Sequence, residues 1–355
     1  MMRDQVSSLN LRAPLVLKQL AREDGKRWDR FVATCPDATF FHRSGWKEVI
    51  EAEFRHPVWF LYVERDGEIC AVLPVAQVKS RLFGNSMASL PFCVYGGVAS
   101  TDADARAMLE AEAERLARQH GADFLEFRNC APRHADWPQQ DLYVTFRKTI
   151  LPRVEDNMLA IPRKQRAMVR KGIKAGLTSE IDADIKRFFA LYADNVHRHG
   201  TPAMPKRYFE RLKAAFGDDC EVTIVVDPAG QPLSGVMSFY FRDEVLPYYA
   251  GDAIAARELA ANDFKYWELL RRACERGCKV FDYGRSKRGS GSFDFKKNWG
   301  FEPLPLHYEY RLYRCKGIPQ NNPNNPRYRL LIEAWRRMPI SLANLIGPYI
   351  VRNLG

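Results

Sequence analysis

One order of elements is written into this sequence twice, and few architectures accommodate such a repeat. Apolar periodicity predicts helices over about Gly25–Thr34 and Ser44–Glu53. The run "VWFLYVERDGEICAVLPVAQVK" then alternates around Asp66-Gly67, a strong two-residue hairpin signal. A strand at "CVYGGVAS", a helix over about Asp102–His120 and a strand at "DFLEFRN" close the first pass. The second pass has helices over about Asp182–Gly200 and Lys206–Phe216, then "CEVTIVVDPAGQPLSGVMSFYFRD" with a turn at Asp227-Pro228-Ala229-Gly230. A strand at "VLPYYAGD", a helix over about Leu259–Arg276 and a strand at "KVFDYGRS" follow. "YGG" at Tyr95 parallels "YAG" at Tyr249, and "LEFRN" at Leu125 parallels "FDYGRS" at Phe281.

The expected organisation is a mixed-sheet α/β protein with two tandem domains. The first takes residues 1–160 and the second 178–314, with a connecting helix over 161–177 and a C-terminal arm over 315–355. With 46% hydrophobic and 12% aromatic residues, 355 residues can bury one large core or two ordinary ones. Eight scattered cysteines include no CxxC pair. Cys274 and Cys278 lie a helical turn apart without the further ligands a zinc site needs, so no metal is expected. The opening "MMRDQVSSLNLRAPLVLKQLAREDGKRW" holds no apolar run of signal-peptide length, and no stretch is apolar enough to span a bilayer. A cytoplasmic protein is the expectation.

A net charge of +11 points to anionic partners: nucleic acid, phosphorylated substrates or a membrane surface. Two segments concentrate it. In "IPRKQRAMVRKGIKAGL", Arg163, Lys164, Arg166, Arg170, Lys171 and Lys174 are six cations with no acid among them. A helix here could dock Ile161, Met168 and Ile173. A solvated linker would normally mix signs to gain i,i+4 pairs, so phosphate or RNA contact competes with that reading.

The second segment is "FDYGRSKRGSGSFDFKKNWGFEP". Arg285, Lys287, Arg288, Lys296 and Lys297 fall within thirteen positions threaded with glycine and serine. It is no Walker loop, since Ser290-Gly291 stands where Lys-Ser/Thr is required. It is no G-x-G-x-x-G either, since Asp294 replaces the last glycine. Gly289 and Gly291 can expose backbone N–H groups as an anion nest, and Arg285, Lys287 and Arg288 add full charges. Alternation in "FDFKKNWGF" puts Phe293, Phe295 and Lys297 on one face and Lys296 on the other. A solvated hairpin is the plainer alternative.

"FKKNWGF" resembles the FK-x-x-aromatic-Gly motif of FemAB-type acyltransferases, which are built from two GNAT-like domains in tandem. "RKQRAMVRKGIKAGL" looks like the basic stretch between their domains. "ARELAANDFKYWELLRRACERG", "VLPYYAGD" and "NVHRHGTP" are similar to the subgroup associated with PEP-CTERM/exosortase (XrtA) systems and exopolysaccharide genes. The resemblance covers roughly Arg27 to Gly355. It implies transfer of an acyl or aminoacyl group from aminoacyl-tRNA or acyl-CoA to an amine, with no tightly bound cofactor. It also places Lys296 at the catalytic cleft. The chain departs from the family in two ways. It has no candidate for the coiled-coil arm of some members, and "ARELAAND" replaces the GNAT pyrophosphate signature.

By analogy with GNAT-like folds, two parallel strands would splay between "LPYYAGD" and "VFDYGRS", putting Tyr248, Tyr249, Ala250, Asp282 and Tyr283 at the gap. The expected catalytic set is Lys296, Asp282 and Tyr249, with Lys296 either neutralising developing negative charge or holding the donor phosphate. Asp282 either orients or deprotonates the amine or pairs with Arg285. Donor binding falls to Arg285, Ser286, Lys287, Gly289, Gly291 and Lys297, and RNA or phosphate contact to Arg163, Lys164, Arg166, Arg170 and Lys171. Asp263 is expected to cap a helix, and Tyr95, Gly96 and Gly97 to line an acceptor groove. His197, His199 and His307 are expected to play supporting roles only. The C-terminal arm either packs on the body, the favoured reading, or docks at a membrane interface, which would make the protein peripheral at the inner membrane. Expected partners are the anionic donor, tRNA among them, and an envelope or exopolysaccharide precursor. A catalytically silent scaffold for exopolysaccharide machinery is the alternative from another class. A general RNA-binding protein ranks last, for want of an RNA module.

Overall fold

The computed structural model describes residues 13–80, 83–319 and 329–354. Residues 1–12 of the opening segment, where no signal-peptide run is expected, and residues 320–328 within the C-terminal arm therefore lie outside the described residues. In the first half come β1 (Val16–Gln19), α1 (Gly25–Thr34), α2 (Gly45–Phe54), β2 (Val58–Arg65), β3 (Glu68–Ser80) and β4 (Gly84–Ala88). Then follow β5 (Ala99–Ser100), α3 (Ala103–Gln119), β6 (Phe124–Asn129), β7 (Gln139–Gln140) and β8 (Tyr143–Thr149). Helices α4 (Val154–Ala160) and α5 (Arg163–Lys174) lead into β9 (Thr178–Ile181), α6 (Lys186–Arg198), α7 (Lys206–Phe216) and β10 (Cys220–Val226). The chain continues through β11 (Pro232–Phe241), β12 (Glu244–Asp252), α8 (Ala261–Glu275), β13 (Val280–Asp282) and β14 (Ser286–Lys287). It ends with α9 (Gly291–Asn298), β15 (Pro303–Pro305), β16 (His307–Leu312), α10 (Arg329–Arg337) and α11 (Ile340–Val351).

Both hairpins form where the turn chemistry demands. Asp66 and Gly67 sit at φ 51° and 79°, the two positive values a type I′ turn requires. At the second turn the Asp227 carboxylate accepts from the N–H groups of Ala229 and Gln231, both at 2.9 Å, while Gly230 takes φ 78°.

The sheets do not follow the boundary expected at residue 160. One is ordered β1-β2-β3-β4-β6-β16-β7 and the other β14-β8-β13-β12-β11-β10-β9. Strand β8, from the first half, thus lies inside the second sheet, pairing Arg147 with Asp282. Strand β16 returns to the first, pairing Tyr308 with Arg128. Each half lends the other a strand. The halves also share a core: Phe40 stacks on Phe239 at 4.5 Å, and Phe216 packs on Trp46 at 5.4 Å. Aromatic burial of this kind, with exchanged strands, makes the two halves one packing unit.

Three local expectations change. Only Ala99–Ser100 of "CVYGGVAS" forms a strand. The remainder is a loop, because Gly96 lies so close to Ser89 that a Cβ there would sit 1.8 Å from its carbonyl oxygen. "FDFKKN" is helix α9 rather than an alternating strand. The Ser290 side chain caps it by accepting from the Phe293 N–H, and Gly300 at φ 79° terminates it. Finally, α5 docks through Gln165, Val169 and Gly172 rather than Met168 and Ile173; Ile173 is exposed, although Ile161 is buried. Gly172 is needed because a Cβ would meet the Phe264 Cβ at 2.8 Å, so the close α5–α8 approach outweighs the larger apolar side chains.

Candidate active site

Strands β12 and β13 run parallel but pair over only two residues, Glu244 with Val280 and Val245 with Phe281. Beyond that point β12 separates from β13, which continues its pairing with β8. A register shift in β12 against β11 leaves Tyr248 between the pairs Met237–Tyr249 and Ser238–Pro247. This bulge turns the strand at the place where the two edges part. The splay expected between "LPYYAGD" and "VFDYGRS" is therefore present.

The first half has the same parallel pair, β4 with β6, but its gap is filled. Ser89 N–H donates to the Glu126 carbonyl at 2.8 Å and Gly96 N–H to the Arg128 carbonyl at 2.9 Å. The Arg128 guanidinium enters the loop, donating to the carbonyls of Cys93 at 2.7 Å and Leu90 at 3.3 Å, and it also holds Glu126 at 3.1 Å. Only the second-half gap stays open among the described residues.

That gap opens into a cleft of about 510 Å³ between the halves. Its second-half wall includes Tyr248, Tyr249, Ala250, Tyr266, Tyr283 and Lys296, and its opposite wall includes Ser86, Glu126, Arg128, Tyr308 and Tyr310. Asn353 and Leu354 of the arm reach its rim. Tyr248 ties the two walls, donating its hydroxyl to the Phe92 carbonyl at 2.9 Å. The Tyr249 hydroxyl lies 2.8 Å from that of Tyr208.

Lys296 projects from α9 under the loop that follows β13 and is 8% exposed. Its ammonium donates to three consecutive carbonyls, Tyr283 at 2.8 Å, Gly284 at 3.1 Å and Arg285 at 3.2 Å. Burial lowers its pKa from the usual lysine range to about 7; the Asp282 carboxylate opposes the shift and Arg285 adds to it.

Asp282 is fully buried and does not pair with Arg285. It accepts from Arg147 at 3.1 Å, from the Tyr95 hydroxyl at 2.9 Å and from the Gly284 N–H at 2.7 Å. Burial raises its pKa, with Arg147 the chief opposing influence. Arg147 also pairs with Glu244. The carboxylate thus sits behind the cleft wall and reaches it through Gly284, whose carbonyl receives Lys296.

The other expected donor residues divide. Arg285 lines the cleft, stacked over Tyr143 at 4.5 Å with Tyr308 beyond at 5.9 Å. Ser286 is buried in β14 and accepts from Ser292, itself on the cleft wall. Lys287 pairs through its backbone with Tyr143 in β8. Arg288 points outward to Asp141 at 3.0 Å. Gly289 takes φ 71°, whereas Gly291 has no positive φ and opens α9; neither they nor exposed Lys297 line the cleft. Asp263 caps no helix: it accepts from the Trp299 indole at 2.9 Å. Of the acceptor-groove candidates, Tyr95 is buried and serves Asp282, and Gly97 lies against Asn129. His197 and His199 support the arm, through the Trp335 and His199 carbonyls.

On α5, Arg163, Lys164, Arg170, Lys171 and Lys174 are exposed, and Arg166 reaches the Leu159 carbonyl at 3.4 Å. None of the six has an acidic partner within 4 Å among the described residues. Arg128, Tyr308, Tyr143 and Arg147 escaped sequence reasoning. The parallel between "LEFRN" and "FDYGRS" was the one signal pointing at Arg128.

Residues 163–297 match the family described as an acetyltransferase (GNAT) domain. A UDP-N-acetylmuramoylpentapeptide-lysine N(6)-alanyltransferase of Weissella viridescens is 24% identical over 139 residues, 38% of this chain. The match spans 41% of that relative, less than half its length. Among solved structures, a crystal structure of FemX has a TM-score of 0.68 at 16% identity, covering 89% of this chain and 100% of that one. A tandem GNAT protein from the clavulanic acid biosynthesis pathway has a TM-score of 0.53 at 12% identity, covering 84% and 98%. The fold is thus a mixed α/β arrangement of two tandem GNAT-like domains, and the FemAB/GNAT-type resemblance is supported.

Proposed function

We propose that this chain is an N-acyltransferase that moves an acyl or aminoacyl group from an activated donor to an amine on a cell-envelope or exopolysaccharide precursor. The observation that carries this reading is the asymmetry of the two gaps. The first is plugged by its own loop, while the second opens beside Lys296 and Arg285. The likeness to an alanyltransferase supports the reaction class, and the subgroup resemblance of "ARELAANDFKYWELLRRACERG", "VLPYYAGD" and "NVHRHGTP" favours an exopolysaccharide setting.

In this reading the donor carbonyl lies in the β12–β13 splay. The amine nitrogen forms a bond to the carbonyl carbon, the donor C–O or C–S bond breaks, and the amine proton ends on the leaving group or solvent. Holding both reactants in one cleft contributes on the order of 7–11 kcal/mol. Lys296 supplies positive charge beside the developing oxyanion, worth about 2.7–4 kcal/mol for one good donor. Asp282 acts as a positioning residue, fixing the Gly284 peptide that receives Lys296. Its enclosure argues against direct proton removal from the amine. Arg285, stacked and solvent-accessible in the cleft, is suited to a phosphate of donor or acceptor.

The donor we favour is aminoacyl-tRNA. The cations of α5, with no acidic partner within 4 Å among the described residues, sit on a helix packed against α8, whose Asp263 holds the end of α9. Such a donor, like acyl-CoA, places the reaction on the cytoplasmic side. Binding of charged tRNA, uncharged tRNA and acyl-CoA over a salt series tests this. About four phosphate contacts give a log–log slope near −2.8, with charged tRNA preferred. Saturable acyl-CoA binding with indiscriminate tRNA binding assigns the CoA donor instead. Binding of neither would favour the scaffold reading.

A further inference from the structure

The outer face of the C-terminal arm has no covering element among the described residues. Helix α11 packs inward through Ala343, Gly347 and Val351, with Gly347 against Ala203. Its opposite side presents Leu342, Leu345 and Tyr349 at i, i+3 and i+7, the last two 68% and 69% exposed. Helix α10 is anchored by buried Trp335 and turns Leu330 and Leu331 outward, 75% and 66% exposed. Monomeric proteins rarely leave apolar side chains in such a row without a use for them.

Charge identifies what would cover it. Helix α11 carries no Asp, Glu, Lys, Arg or His, and Arg336 and Arg337 stand exposed where α10 meets it. Arg207, on α7, lies within electrostatic range of Tyr349, and Arg211 is one turn further on. These two share a single buried acid, Glu53. An apolar stripe one helix wide, rimmed by arginines, matches an anionic lipid surface. Leucine and tyrosine enter the headgroup boundary while guanidinium groups meet phosphates. A second copy of the chain fits poorly, because it would set arginine rim against arginine rim.

The arm also fixes where the cleft would then lie. After α11 the chain bridges to the first half: Arg352 donates to the Phe54 carbonyl at 2.9 Å, and the His56 ring donates to the Arg352 carbonyl at 2.6 Å. The next two residues, Asn353 and Leu354, line the cleft. We propose that the Leu342–Leu345–Tyr349 face of α11, with its arginine rim, docks in the plane of an anionic bilayer and holds the cleft mouth at the lipid surface, where a lipid-borne acceptor can enter. Docking does not depend on which donor the cleft takes.

Cosedimentation of the full chain with phosphatidylglycerol/phosphatidylcholine vesicles, and with phosphatidylcholine alone, tests this without any transfer reaction. The wild type is expected to bind the anionic vesicles and to weaken as salt rises and the headgroup charge is screened over about 8–10 Å. Leu345→Glu with Tyr349→Glu is expected to lower partitioning by about tenfold or more, with unchanged melting because both side chains are exposed. Arg337→Gln, which leaves the apolar face intact, is expected to lose about fivefold. Equal binding by wild type and double variant overturns the proposal, as does failure of the wild type to bind either vesicle. A wild-type dimer that the double variant converts to monomer also overturns it, assigning the face to self-association.

Discussion

Tyr95 of the first half donates its hydroxyl to Asp282 of the second at 2.9 Å, and neither side chain retains appreciable solvent exposure. The bond joins the loop that plugs one gap to the strand that borders the other. From Asp282 the connection passes to Gly284 N–H and from the Gly284 carbonyl to Lys296. Tyr95→Phe removes a donor from a buried carboxylate and is expected to cost about 1–3 kcal/mol in denaturant unfolding. In a double-mutant cycle with Asp282→Asn the pair should show coupling of about 0.5–3 kcal/mol. Additivity would mean the two residues act independently.

Lys296 gives a pH signature whose sign is determined. Its folded pKa, about 7, lies below the unfolded value of 10.5, so between them the unfolded chain binds more protons. Stability from this group therefore rises with pH across that window; it is fully present above about 10.5 and lost as pH falls through about 7. Lys296→Met should remove a slope of up to about 1.4 kcal/mol per pH unit from the wild-type curve between those values. Parallel curves for the two proteins would show that Lys296 titrates normally. In transfer assays the same variant is expected to lose about 10²–10³ in kcat.

Gly96→Ala reports on the plugged gap. Its Cβ would sit 1.8 Å from the Ser89 carbonyl oxygen, so the loop must shift away from Arg128. A loss of about 3 kcal/mol, measured by urea unfolding, is expected from this overpacking. An unchanged midpoint would mean that the loop yields freely.

Reversing Arg170 and Lys171 to Glu leaves the docked face of α5, Gln165, Val169 and Gly172, untouched. Melting should stay within about 0.5 kcal/mol of wild type, as for other surface changes. The tRNA salt slope should become shallower by about 0.7 for each lost phosphate contact. A slope identical to wild type would remove α5 from the donor surface.

Much of this protein is decided locally. Helices over Gly25–Thr34 and Lys206–Phe216 lie where apolar periodicity predicts them, and the Asp66-Gly67 turn follows from backbone sterics alone. The splay after Val245 was legible only by analogy with GNAT-like folds. The signals for α9, Ser290 as cap and Gly300 as stop, were also in the sequence, but the Phe293–Phe295 alternation masked them. What only the tertiary structure decided are long-range pairings that no local pattern encodes. They include the exchange of β8 and β16 between sheets, the choice of Arg147 rather than Arg285 as partner for Asp282, and the three-carbonyl seat of Lys296. The physical reason is the same in each case. A residue's charge and periodicity are its own, but its desolvation and its partners belong to whatever distant strand the fold brings beside it.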